Sequence, residues 1–138
     1  MAMNSVVHFE MGANDTKRMV EFYTKVFGWK TQQMGPEMGN YVVAQTTDTD
    51  QNGMVKTPGN INGGFYQKTA DASSHAPSIV ISVDDLDESI QKVKSAGGKI
   101  LSAKPEDIPG VGRRVSFMDT EGNRVSMLQP VMSSEKKM

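Results

Sequence analysis

Similarity between the two halves at one fixed offset most restricts what this chain can fold into. Sliding the sequence by 70 residues sets His8 on Ser78, Asp15 on Asp85, Val20 on Ile90, Tyr23 on Val93 and Gly28 on Gly98. Helix cap, helix face and helix-stopping glycine fall into step, the mark of a duplicated supersecondary unit. Each copy opens on a strand. Across residues 5–11, Val7, Phe9 and Met11 lie on one face and Val6, His8 and Glu10 on the other. Asn14 or Asp15 then suits a helix N-cap, and Met19, Phe22, Tyr23, Val26 and Phe27 recur at helical spacing until Gly28 ends the helix.

Strands are expected next at 29–34 and 40–45, with Gly35, Pro36 and Gly39 supplying the turn between them. The polar stretch 46–62 has no apolar periodicity and reads as a long loop. Residues 63–67 form a short strand whose Gly63 and Gly64 point to a bulge or a close backbone approach. After a polar connection at 69–77 the pattern restarts: strand 78–83, helix 85–96 stopped by Gly97 and Gly98, strand 99–103, then strands 113–118 and 124–129. Gly122 and Asn123 suit the positive φ of a tight turn between the last two. The class is therefore α+β, with βαβββ repeats at 5–68 and 76–130 in a single domain spanning 1–138, and 131–138 expected as a disordered tail.

Composition removes several kinds of function. Fifteen Lys and Arg against sixteen Asp and Glu leave a net charge of −1, with no basic excess for a phosphate backbone or an anionic bilayer. Neither nucleic acid nor a membrane is an expected partner. The absence of cysteine rules out disulfides, thiolate nucleophiles and Cys-held zinc, so the available metal ligands are two His and the carboxylates. No run approaches the ~20 apolar residues of a membrane span. Residues 1–10 lack the basic start and apolar core of a signal peptide, and a cytoplasmic location is expected. The eleven methionines read as core filling.

Several segments carry a resemblance to a known family. They are Val6-Val-His-Phe-Glu10, Phe22-Tyr-Thr-Lys-Val-Phe-Gly28, Val80-Ile-Ser-Val-Asp-Asp-Leu-Asp-Glu88, Ala96-Gly-Gly-Lys99 and Phe117-Met-Asp-Thr-Glu-Gly-Asn-Arg-Val125. Across 6–130 the chain resembles the vicinal oxygen chelate superfamily of glyoxalases, bleomycin resistance proteins and dioxygenases, and within it the small lactoylglutathione lyase-related proteins. The resemblance implies a curved mixed sheet around a central cavity, with function on the concave faces. For metal-dependent members it also implies one ligand from the first strand of each half and a carboxylate from the last. His8 matches the first of these positions, but Ser78 stands at its counterpart, Ser126 stands four residues after Gly122, and 61–66 holds no Asp or Glu. Three of the four ligands are missing, so no metal and no other cofactor is expected. Whether the chain is an enzyme stays open.

Alternation puts Val6, His8, Glu10, Ser78, Val80, Ser82, Arg124, Ser126 and Leu128 on the concave face. Strand 113–118 adds either Arg114 and Ser116 or Arg113 and Val115. The candidate ligand-binding residues are His8, Glu10, Ser78, Arg114, Arg124 and Ser126, a set suited to a small polar or anionic organic molecule. Plainer roles stand beside each. His8 can be a strand histidine with one hydrogen bond, Glu10 and Arg124 can pair across a sheet, and Ser126 can be merely small and polar. Trp29, Tyr41 and Tyr66 suit packing better than flanking a pocket, while Asp84, Asp85 and Asp87 suit helix capping better than a cation site. Three functions follow: a metal-independent small-molecule-binding protein, a lyase, isomerase or dioxygenase-like enzyme, or a structural or regulatory module with a filled cavity. A homodimer is expected, because open sheet edges are commonly covered by two-fold association.

Overall fold

The computed structural model describes residues 3–131, so the expected tail lies, apart from Val131, outside the described residues. The chain falls into two compact units, one spanning Val7–Pro77 and the other running from Ser78 onward together with the residues up to Val6. Among the described residues, no helix is long and apolar enough to cross a membrane.

The first unit contains β1 (Val6–Ala13), α1 (Thr16–Phe27), β2 (Lys30–Gln33), β3 (Val42–Gln45) and β4 (Asn62–Gln67). Its strands lie in the order β2-β3-β4-β1, with β4 and β1 parallel and the other pairs antiparallel. Asp15 is the N-cap, its carboxylate accepting from the Arg18 N–H at 3.1 Å. Gly28 closes the helix at φ 72°, a left-handed conformation in which a side chain would be strained. Met19, Val20 and Tyr23 of α1 pack with Phe9, Met11 and Trp29 against the buried Val42, Ala44 and Phe65. The Tyr23 ring stacks on Trp29 with centroids 4.6 Å apart. Phe9 and Met11 thus face the helix, and alternation leaves His8 and Glu10 on the opposite side of β1.

Part of the expected helix face is corrected. Phe22, Val26 and Phe27 remain 55%, 54% and 61% exposed. Of α1, Met19, Val20 and Tyr23 are the residues packed against the buried core of the sheet. The long connection after β3 is tied at its base. Asn62 Oδ1 accepts from the Thr46 and Thr47 N–H groups at 2.8 and 3.2 Å, Thr46 Oγ1 donates to the Ile61 carbonyl at 2.5 Å, and Asn60 Nδ2 donates to Thr47 Oγ1 at 3.0 Å.

The second unit contains β5 (Ser78–Ser82), α2 (Leu86–Ser95), β6 (Lys99–Ile100), β7 (Glu106–Ile108), β8 (Gly112–Met118) and β9 (Arg124–Pro130). The order is β5-β9-β8-β6, with β7 also paired to β8; β5 and β9 run parallel. The strand expected at 99–103 shrinks to two residues, and β7 is a strand the repeat pattern did not foresee. Pro105 has no N–H to give a ladder, and the chain pairs with β8 again only beyond it. Val83, Leu86, Val115 and Met127 form the core, covered by Ile90 and Val93 of α2. Each unit follows a strand, a helix and further strands, which is the α+β class expected from the repeat.

Candidate ligand-binding site

In the first unit the polar side of β1 is organised around a missing side chain. Gly64 of β4 is registered with Glu10 on one side and Val43 on the other. A Cβ at Gly64 would collide with the ring and hydroxyl of Tyr41, so the phenol crosses β4 where the pleat is empty. Its hydroxyl donates to Glu10 Oε2 at 3.0 Å and lies 3.4 Å from His8 Nε2. Glu10 is only 4% exposed, and His8 and Tyr41 are half-buried. Imidazole, phenol and carboxylate form a chain able to carry a proton or to present a fixed donor. Sequence reasoning assigned Tyr41 to packing and missed this role. The only signal was the Gly63-Gly64 pair, which announces a close approach without naming what approaches.

In the second unit the register decides which arginine faces which way. Arg114 opposes Leu128, Ser116 opposes Ser126, Met118 opposes Arg124, and Val80 lies beside Ser126. Arg114, Ser116, Arg124 and Ser126 therefore share a face with Val80 and, by alternation, Ser78. Arg113 and Val115 take the α2 side, where Arg113 lies 3.4 Å from Asp87 and 3.7 Å from Asp107. On the polar face, Ser116 and Ser126 are 3% and 2% exposed with hydroxyls 2.9 Å apart. Arg114 Nη2 donates to Ser126 Oγ at 3.1 Å, and its Nη1 donates to Glu106 Oε1 at 2.8 Å. Arg114 and Ser126 are thus in contact, whereas Ser78 and Arg124 share their face half-buried. Glu106 was not anticipated, because β7 was not.

The β8–β9 turn holds the register. Asp119 accepts from the Asn123 N–H at 2.8 Å, the Asn123 side-chain amide at 3.0 Å and the Glu121 N–H at 2.9 Å. These bonds favour the ionised carboxylate, the Asn123 backbone contributing most, and hold Asp119 below the usual carboxylate range.

The four positions where the resemblance implies metal ligands do not fit a divalent ion. Beyond His8 they offer the Ser78 hydroxyl, a β4 whose Gly64 lies under Tyr41 and whose Asn62 oxygen is engaged by Thr46 and Thr47, and a Ser126 hydroxyl with a guanidinium 3.1 Å away. Among the described residues, no three His, Asp or Glu gather as a metal site would need.

Comparison with known proteins accords with this architecture. The family model for the glyoxalase/bleomycin resistance protein/dioxygenase superfamily matches residues 5–127. The chain is 34% identical over 120 residues to a glyoxylase-like domain-containing protein of Didymella fabae, covering 83% of this chain and 84% of that protein. It is 26% identical over 133 residues to a Vibrio cholerae protein named "Probable lactoylglutathione lyase", covering 94% and 93% of the two chains. Among solved structures, a methylmalonyl-CoA epimerase of Streptomyces coelicolor in complex with 2-nitronate-propionyl-CoA superposes with a TM-score of 0.67 at 16% identity, over 95% of this chain and 100% of the other. That last likeness is one of fold.

Proposed function

The chain belongs to the glyoxalase/bleomycin resistance protein/dioxygenase superfamily, and from that premise we propose that it is a metal-independent protein binding a small polar or anionic organic molecule. In the second unit the ligand contacts are Ser78, Arg114, Arg124 and Ser126; in the first they are His8 and Glu10. One observation carries this reading. Where the superfamily resemblance implies a carboxylate holding a metal ion, this chain has the Ser126 hydroxyl bonded to the Arg114 guanidinium at 3.1 Å. A guanidinium supplies a permanent positive charge and a planar donor fork at any working pH, so an anionic oxygen has a partner that depends on no bound ion. Arg124, two residues before Ser126 on β9, adds a second cation to the same face.

Native mass spectrometry of the protein isolated from cells tests the reading, because it reports metal and bound metabolite together. The expected result is an organic adduct with no stoichiometric zinc, nickel, iron or manganese; a tight ion lost on His8→Ala overturns it. Against the adduct so identified, Arg124→Met should weaken binding about tenfold to a hundredfold, the worth of one charge-assisted hydrogen bond. Lys17→Met, exposed on α1, should leave that affinity unchanged. A second reading, a lyase or isomerase, is favoured by the His8–Tyr41–Glu10 chain, since proton transfer needs such an array. Turnover of the adduct that is abolished by Tyr41→Phe would establish it.

A further inference from the structure

We propose that the tip of the 46–61 connection is a site of spontaneous chemical modification, where the Asn52 side chain loses ammonia to the following peptide nitrogen. The same dipeptide at Asn62 is held inert by the sheet. Asn52-Gly53 and Asn62-Gly63 are the two Asn-Gly pairs of the chain. Asparagine is thermolabile, and a following glycine has no side chain to shield its nitrogen. After solvent base removes the Gly53 amide proton, the nitrogen bonds to Cγ of Asn52. The Cγ–Nδ2 bond breaks, and Nδ2 takes a proton from water and leaves as ammonia. Water then opens the cyclic succinimide. Opening at the Cγ–N bond gives an ordinary aspartyl residue, whereas opening at the backbone C–N bond gives an isoaspartyl residue whose main chain runs through Cβ. Water is the co-reactant, and nothing is oxidised or reduced.

Both pairs share this chemistry, and the structure separates them. Asp50 to Gly53 turn the chain inside a bridge between Thr49 and Val55. The Gly53 N–H donates to the Asp50 carbonyl at 2.9 Å, and the Asp50 carboxylate accepts from the Asn52 and Met54 N–H groups at 2.8 and 3.0 Å. Residues 50–54 are all exposed, so opening this turn uncovers no core and costs little. A Cβ at Gly53 would meet no atom within 4 Å, so nothing crowds the path of its nitrogen to Asn52. Asn62-Gly63 is the reverse in each respect. Gly63 is buried between Phe9 of β1 and Ala44 of β3, and a Cβ there would collide with the Phe9 ring. The Asn62 side-chain oxygen is held by Thr46 and Thr47. Bringing the Gly63 nitrogen onto Asn62 means releasing both the clamp and the strand. Asn-Gly at a hairpin tip is first a choice of turn chemistry, and the exposure that suits the turn also admits the reaction. The inference does not rest on the function proposed above.

The test is incubation of the full chain, folded and in urea, in mildly acidic and mildly alkaline buffer. Peptides carrying each asparagine are then followed by mass spectrometry, with electron-transfer fragmentation to tell aspartyl from isoaspartyl. In the folded protein Asn52 should convert at least about tenfold faster than Asn62, because only the second must wait for the sheet to open. Alkaline buffer should speed the conversion, since the nitrogen has to lose its proton, and urea should release Asn62. Ion exchange of the intact folded protein should show an acidic species growing with time, which Asn52→Gln removes because the longer side chain closes its ring slowly. The folded and urea samples of the wild type give an answer that does not depend on how the variant folds. The proposal is overturned by an Asn52 that stays unchanged in the folded protein, by Asn62 converting there as fast as Asn52, or by rates that ignore pH. An Asn62 that stays inert in urea overturns the protection assigned to the sheet, and an acidic species that persists in Asn52→Gln overturns the site.

Discussion

At the residue scale, the phenol of Tyr41 reaches Glu10 because Gly64 leaves the strand beneath it bare. Gly64→Ala puts a methyl group where the ring lies, and overpacking of this kind costs about 1–3 kcal/mol. Tyr41→Phe keeps the ring and removes one hydrogen bond, at about 0.5–1.5 kcal/mol. Urea unfolding should therefore rank Gly64→Ala as the more damaging of the two; a Gly64→Ala midpoint equal to the wild type would mean that the ring is not seated there. The two glycines were legible in the sequence as a close approach, and their occupant was not. Alternation tells which face a residue takes on its own strand, but not which side chain leans across from the next one. Ser116 and Ser126 both fall on strands legible in the sequence, yet their contact depends on a hairpin register that a one-residue slip would have inverted.

At the element scale, that register rests on the 119–123 turn, and the turn has a pH signature. The folded-state pKa of Asp119 is lowered, chiefly by the Asn123 N–H and then by the Asn123 side chain and Glu121 N–H. A depressed carboxylate contributes stability above its unfolded pKa of about 3.9 and loses it as pH falls through the lower folded value. Asp119→Asn should accordingly lower the melting temperature at neutral pH, and the gap to the wild type should narrow below about pH 4. A gap that stays constant through that range would mean the charge contributes nothing. Helix ends were the most legible elements, because Asp15 and Asp85 are chemically fitted to the N–H groups they cap. The chain between β6 and β8 was the least legible. Glu106–Ile108 is too short and polar to show alternation, and its pairing depends on a β8 long enough to hold β6 at one end and β7 at the other.

At the scale of the whole molecule, the expected homodimer can be sharpened by what the sheets expose. The strand at the free end of each unit's sheet is short, four residues in β2 and two in β6, and such edges discourage strand-to-strand extension. Association should therefore proceed through side chains, and Phe22, Val26 and Phe27 are the apolar surface available for it on α1. Light scattering at micromolar concentration should return twice the chain mass, and a lone monomer mass would refute the dimer. The clamp that Asn62 places across the base of the 46–61 connection has a different consequence, for engineering. With both ends of the excursion tied to each other, the sheet senses little of what lies between them, and each doubling of loop length costs only about 0.6 kcal/mol in closure entropy. A foreign epitope or affinity peptide spliced in beside the exposed Asn52 would hang from a fixed doorway. The protein can thus serve as a display scaffold while its polar faces stay as they are.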